Sequence, residues 1–350
     1  MLETLIEVIY PAGKGSIGLR GNSAPLSWEE TRQPDAVKGD ANLFRLLVPE
    51  GELLELKIAR GDDWSTGHNY MVHAGDHLHL EPTFDQRAAR IEAGVIIDGL
   101  TCDVLLPPGY DEHPHKRYAV IYALDAQSLW AASTDPFGVW ELDTTVTELA
   151  HLAAIDDLIV VGIHTAEGRL EMLSPVPDAQ YGGGQGPAFL ERVVTKVMPE
   201  IDAKFRTRRE RESTGILGSS MGGLFAFFAA WTRPDVFGKA ACLSSSFWWA
   251  NRWAVKQVTH SALPSPRPLL YLDSGAARSE LDERHRDGYH HTRSMLRALT
   301  RAGFDVGSEV HRLVFPGHTH NAASWASRIA LPLQLLFPRS PMPFDEQRWA

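Results

Sequence analysis

The sequence predicts an α/β protein: a mostly parallel sheet with helices on both faces, preceded by a small all-β sandwich. Three observations carry that reading. Near-continuous apolar runs at 118–124, 158–163 and 268–272 have the texture of strands buried on both faces. In roughly the first 85 residues, short apolar stretches are separated by Gly, Pro, Asn and Asp turns, as in a sandwich. A Gly-Ser-Ser-Met-Gly stretch at 218–222 stands between an apolar run and an apolar helix-like segment, where a serine can be displayed on a sharp turn.

Taken in order, residues 1–85 form the expected sandwich, with strands at 16–20, 43–48, 53–58 and 77–82. Alternation puts His77 and His79 on one strand face, read as an exposed polar face rather than a metal site. A second domain is expected over 90–340. It opens on an antiparallel pair at 94–97 and 102–106 and continues through the three buried runs. Residues 214–217 read as a buried strand and 223–231 as a buried helix stopped at Pro234. A late strand at 309–315 leads through Pro316-Gly317 into a loop and a helix at 322–328.

The 350 residues carry a formal net charge of -10. That balance argues against nucleic acid or an anionic membrane as partner, both of which need basic surface. No apolar run reaches the ~18 residues of a membrane-spanning helix. Residues 1–7 contain two acids and no basic start, unlike a secretory signal. The two cysteines, Cys102 and Cys242, are far apart in sequence and read as buried free thiols in a reducing compartment. The expected setting is cytoplasmic.

Ser220, at the centre of the pentapeptide, is the candidate nucleophile. A serine hydroxyl needs a histidine base within hydrogen-bond reach and, usually, a carboxylate to orient that base. In an α/β protein of this kind the chain order is Ser, acid, His. His318 and His320 follow the late strand, and His320, directly before Asn321 and a helix, is the candidate base. His318-Thr319-His320 lacks a third ligand at helix or hairpin spacing, so no metal or cofactor is expected. Glu280, Asp282, Glu283 and Asp287 are the acids in the polar connection before the 289–299 helix.

From about residue 95 to 338 the chain resembles the enterochelin-esterase and esterase-D family of α/β-hydrolases, which includes feruloyl and acetyl esterases and mycolyltransferases. The matching pieces are 106–110, 122–127, Arg169 with Glu171 and Pro175, 218–223, 271–275, and His320-Asn321 with Trp325 and Arg328. The resemblance implies a serine carboxylic-ester hydrolase acting through an acyl-enzyme, on a siderophore trilactone or on an acyl-sugar, feruloyl or acetyl ester. It supports His320 over His318 through the five-residue spacing to Trp325. It implies oxyanion donors at the backbone N–H of Met221 and of Gln127 or its neighbour Ala126. Many relatives carry an acid where this chain has Arg278, and Asp287 is then favoured because other relatives place theirs immediately before this helix. The alternatives are a helix N-terminal charge with no catalytic role, and a Ser-His dyad.

The first 85 residues resemble a carbohydrate-binding-module type of sandwich, through 19–22, 25–28, 56–58 and 63–70. That resemblance implies a glycan partner, with Trp28 and Trp64 as stacking residues. Tryptophans in so small a sandwich are more often core, and core is the reading adopted for both. A protein of another class, a non-catalytic carbohydrate binder, would follow if the hydrolase part were inactive.

Overall fold

The computed structural model describes residues 1–165, 167–276, 287–339 and 344–349. Eight strands occupy the N-terminal part: β1 (Leu2–Ile9), β2 (Ile17–Gly21), β3 (Ala36–Lys38), β4 (Ala41–Val48), β5 (Leu53–Arg60), β6 (Asp63–Trp64), β7 (Tyr70–His73) and β8 (His77–Leu80). One sheet runs β3-β4-β1-β8; the other runs β2-β5-β6, with β7 also on β5. Ile6, Val8, Leu19, Phe44, Leu56, Ile58 and Val72 from the two sheets share one apolar cluster.

β1 was not legible as a strand, because polar Thr4 and Glu7 are fully buried and break the alternation. Glu7 is in register with His79 on β8. It accepts from Arg348 Nη1 and Trp349 Nε1, both at 2.7 Å, and lies 2.8 Å from His79 Nδ1. The exposed face expected for the two histidines is therefore corrected: His79 is enclosed between Glu7 and Glu81, and only His77 is open. The expectation that Trp28 and Trp64 are core is also corrected. Each is 38% exposed, and they meet edge-to-face at 6.1 Å. Arg20 lies over the Trp64 ring at 5.1 Å, occupying one of its faces.

The second sheet system has eight strands: β9 (Arg90–Ile97), β10 (Leu100–Leu106), β11 (Ala119–Leu124), β12 (Leu158–Ile163), β13 (Thr214–Ser219), β14 (Lys239–Leu243), β15 (Leu269–Ala276) and β16 (Val310–Pro316). Their order is β16-β15-β14-β13-β11-β12-β10-β9. β9 and β10 are antiparallel, β10 is antiparallel to β12, and the pairings from β12 through to β16 are parallel. Along β11, Val120, Tyr122 and Leu124 point into one apolar cluster and Ala119, Ile121 and Ala123 into another. That two-sided burial is why the run is apolar without alternation.

Among the described residues, the helices packed with this sheet are α1 (Leu142–His151), α2 (Arg169–Leu173), α3 (Gly186–Arg192), α4 (Met198–Lys204), α5 (Met221–Thr232), α6 (Trp249–His260), α7 (Tyr289–Arg301), α8 (Ala322–Ala326) and α9 (Ala330–Leu336). α5 is apolar all round because it is enclosed, with ten of its twelve residues buried. The two parts of the chain are stitched by buried Glu112, which accepts from Tyr10 Oη and Phe84 N at 2.8 Å and Asp85 N at 3.0 Å. Cys102 and Cys242 are both buried and free.

The order of the sheet decides where a site can form. The chain runs outward from β11 to β12, then returns to β13 on the other side of β11. Such a reversal leaves a crevice at the carboxyl ends of the strands. Ser220 follows β13 at that reversal, Asp125 follows β11, and Asp287 and His320 lie at the same edge.

Candidate active site

Ser220 is held at φ 55°, ψ -117°, a conformation sparsely populated for a residue with a Cβ and persistent only where the surroundings enforce it. Its N–H donates to Leu243 O at 2.9 Å, and its carbonyl accepts from Ser246 N at 2.9 Å and Leu224 N at 3.1 Å. Gly218 is required by the turn: a Cβ there would lie 2.5 Å from the Gly222 backbone. At Gly222 a Cβ would have no neighbour closer than 3.4 Å, so of these two glycines it is Gly218 that the close packing of the turn demands.

His320 bridges the candidate nucleophile and acid. Its Nε2 is 2.9 Å from Ser220 Oγ and its Nδ1 is 2.7 Å from Asp287 Oδ1. Asp287 is fully buried at the N-terminal side of α7, with a left-handed φ of 47°. Its other oxygen accepts from Ser244 Oγ at 2.7 Å, from the Gly275 N–H, and from Arg328 Nη2 at 3.2 Å. Burial alone would push the Asp287 carboxyl upward. The bonds from His320, Ser244 and Gly275 and the Arg328 charge together hold it below its ordinary value. A side chain at 275 would meet His318 O at 2.0 Å and Asp287 Oδ2 at 2.9 Å, so glycine lets this carboxylate approach the strand end. Glu280, Asp282 and Glu283, the other acids considered, lie outside the described residues.

The helix after the histidine loop explains its own spacing. Trp325 meets the His320 ring edge-to-face at 5.1 Å and donates from Nε1 to Ser244 Oγ at 2.9 Å. Arg328, three residues on, reaches the same serine. Ser244 and Asp273 were not anticipated as part of the site. Trp325 and Arg328 were marked only by spacing, with no role attached.

Met221 begins α5, where the first N–H groups have no intrahelical acceptor. Gln127 sits in the 3₁₀ turn Ala126–Ser128 behind left-handed Asp125. Gln127 borders a cleft of about 690 Å³ in front of Ser220, whereas Ala126 is fully buried. Asp125 is clamped by Arg169, with Nε at 2.6 Å and Nη2 at 2.7 Å, and accepts from Thr165 Oγ1. Phe137, 87% exposed, and Trp140 line the far wall. The 131–139 loop contributes to this wall; none of 173–185 does. In the glycine run at 182–184, Gly182 pairs with Asp178, and Gly184 N donates to Ser174 Oγ at 2.7 Å. Among the described residues no group of three or more His, Cys, Asp or Glu is arranged to hold a metal ion.

Residues 97–333 match the sequence pattern of the family described as "Putative esterase". The chain belongs to that esterase family. With that, the non-catalytic reading is set aside: the protein is a carboxylic-ester hydrolase of the α/β-hydrolase type. The esterase is 25% identical over 236 residues to the YbbA protein of Bacillus subtilis, a match covering 63% of this chain and 89% of YbbA. It is 25% identical over 190 residues to the ferri-bacillibactin esterase BesA of the same organism, covering 49% of this chain and 63% of BesA. Its fold is similar to that of the enterobactin esterase FES from Shigella flexneri, with a TM-score of 0.55, 15% identity, and coverage of 95% of this chain and 92% of that one. At that coverage the shared fold extends into the N-terminal sheets. No described helix of the esterase is long and apolar enough to cross a membrane.

Proposed function

We propose that this esterase cleaves its substrate through a Ser220-His320-Asp287 triad, and that the substrate is a siderophore-type ester such as a catecholate trilactone. The observation that carries the reading is His320 lying between Ser220 Oγ and the buried Asp287 carboxylate. Ser220 Oγ attacks the ester carbonyl carbon while its proton passes to His320 Nε2. Asp287 keeps Nδ1 protonated and faces the imidazolium that forms. The oxyanion is received by the N–H groups of Met221 and Gln127, each worth about 3 kcal/mol in reactions of this type. Collapse breaks the bond to the leaving alkoxide, which takes the proton from His320; water then repeats the sequence on the acyl-enzyme.

The trilactone is favoured because the named relative BesA and the structural neighbour FES act on siderophores by their names. A feruloyl, acetyl or acyl-sugar ester is the competing substrate. The glycan proposed for residues 1–85 is less well supported, since Trp28 and Trp64 stand edge-to-face and Arg20 takes one ring face. A cytoplasmic setting is part of the proposal and is supported by the two free thiols.

The test compares kcat/KM for a catecholate trilactone, methyl ferulate and p-nitrophenyl acyl esters, in wild type and Ser220→Ala. A trilactone preference lost in Ser220→Ala supports the proposal. A ferulate preference overturns the substrate, and an active Ser220→Ala overturns the triad.

A further inference from the structure

Behind the His320-Asp287 pair lies a second carboxylate, Asp273, that the reaction as written does not use. It is fully buried on β15, as are Asp287, Arg328 and Ser244 to within 1%. Arg328 makes a two-point approach to it: Nε stands 3.0 Å from Oδ2 and Nη2 donates to Oδ1 at 3.1 Å. To Asp287 the same guanidinium offers one contact only, Nη2 to Oδ2 at 3.2 Å. Asp273 is also held by Ser244 N at 3.0 Å and Tyr271 Oη at 3.1 Å. Two guanidinium nitrogens stand within 3.1 Å of Asp273, with one hydrogen bond between them, while a single nitrogen reaches Asp287 at 3.2 Å, so Arg328 is primarily the counter-ion of Asp273.

We propose that Asp273 is a positioning residue for ester hydrolysis: as the nearer counter-ion of Arg328, it keeps that cation from neutralising Asp287, whose carboxylate then stays committed to His320. This rests on the triad reading above. With both carboxylates ionised, two negative charges and one positive charge lie beneath the imidazole, so the cluster retains one negative charge toward the imidazolium that forms in each step. Remove the Asp273 charge and that balance is zero, with Arg328 free to pair fully with Asp287.

The charged and titratable groups facing Asp273 are Arg328, Asp287 and Tyr271, with the buried Cys242 thiol on β14. Burial pushes the Asp273 carboxyl up to about 6, against the opposing pull of Arg328, Ser244 N–H and Tyr271. Its charge is therefore sensitive to small changes around it.

The experiment measures kcat and kcat/KM against pH for p-nitrophenyl butyrate hydrolysis by wild type, Asp273→Asn, Tyr271→Phe and Ser220→Ala. In Asp273→Asn, the acid limb of kcat/KM is expected to move to lower pH by about half a unit or more, because less negative charge favours the unprotonated imidazole. kcat falls while KM changes by less than about twofold, since no substrate contact is lost. Tyr271→Phe, which removes one bond that favours the ionised Asp273, moves the limb the same way by less. A folded Asp273→Asn with wild-type melting behaviour and an unmoved acid limb overturns the proposal. If Asp273→Asn does not fold, an unmoved limb in Tyr271→Phe overturns it in the same way. An active Ser220→Ala would instead overturn the triad, so the two failures are distinct.

Discussion

His320 and Trp325 meet edge-to-face, with ring centroids 5.1 Å apart and planes at 87°. The contact limits rotation of the imidazole, whose nitrogens then point at Ser220 and Asp287. Trp325 also donates to Ser244, which donates to Asp287, so one indole braces both partners of the proposed triad. Trp325→Ala is expected to lower kcat by about 10- to 100-fold with little change in KM, as a loosened catalytic geometry does. Trp325→Phe retains the ring contact and is expected to recover most of that loss. Steady-state kinetics on both variants checks this.

Asp287→Asn leaves the size of the side chain unchanged but offers the wrong group to His320 Nδ1. A fall in kcat on the order of 10⁴ is expected. Glu280→Gln, Asp282→Asn and Glu283→Gln are each expected to stay within about threefold of wild type, because the proposed triad already has its acid in Asp287. A large loss in one of those three, with an active Asp287→Asn, would move the acid elsewhere.

Arg169 grips Asp125 through two bonds, and Asp125 starts the turn that carries Gln127. Arg169→Met is therefore expected to displace the Gln127 N–H and lower kcat by about 10²-fold, the cost of an oxyanion donor. Because Arg169 also borders the cleft, the split between kcat and KM is informative. A change confined to KM would make Arg169 a substrate contact instead.

Lys239, at the start of β14, is mostly enclosed, and its ammonium lies 4.3 Å from the Phe337 ring centroid. Burial, with Arg208 nearby, depresses its amine to about 8 from 10.5. The folded state thus releases this proton earlier than the unfolded state. Folding is penalised by the charge below pH 8, and the penalty fades as pH rises from about 8 toward 10.5. Lys239→Met is expected to stabilise the fold at pH 7 by about 1–2 kcal/mol and to flatten stability against pH in that window. Thermal melts between pH 7 and 10 measure both.

Much of this protein was readable along the chain. The runs that became β11, β12 and β13 are apolar because the sheet is covered on both sides, and that leaves a purely local trace. Ser220 was legible because its turn requires a fixed pentapeptide between strand and helix. His320 followed from chain order and the late strand before it. β1 and β14 were not anticipated; β1 buries Thr4 and Glu7, which hides its period.

What only the tertiary structure decided is which side chains converge. His320 meets a serine 100 positions away and an acid 33 positions away, and Arg328 reaches an aspartate 55 positions back. Such contacts leave no periodicity, because each depends on how far neighbouring strands run before their loops turn toward the sheet edge. The sequence alone determined the layered fold and marked the proposed nucleophile and its proposed base. Packing brought the Asp287 carboxylate against His320 and put an arginine and a second buried aspartate behind it, because burial makes every unpaired charge in that layer find a partner.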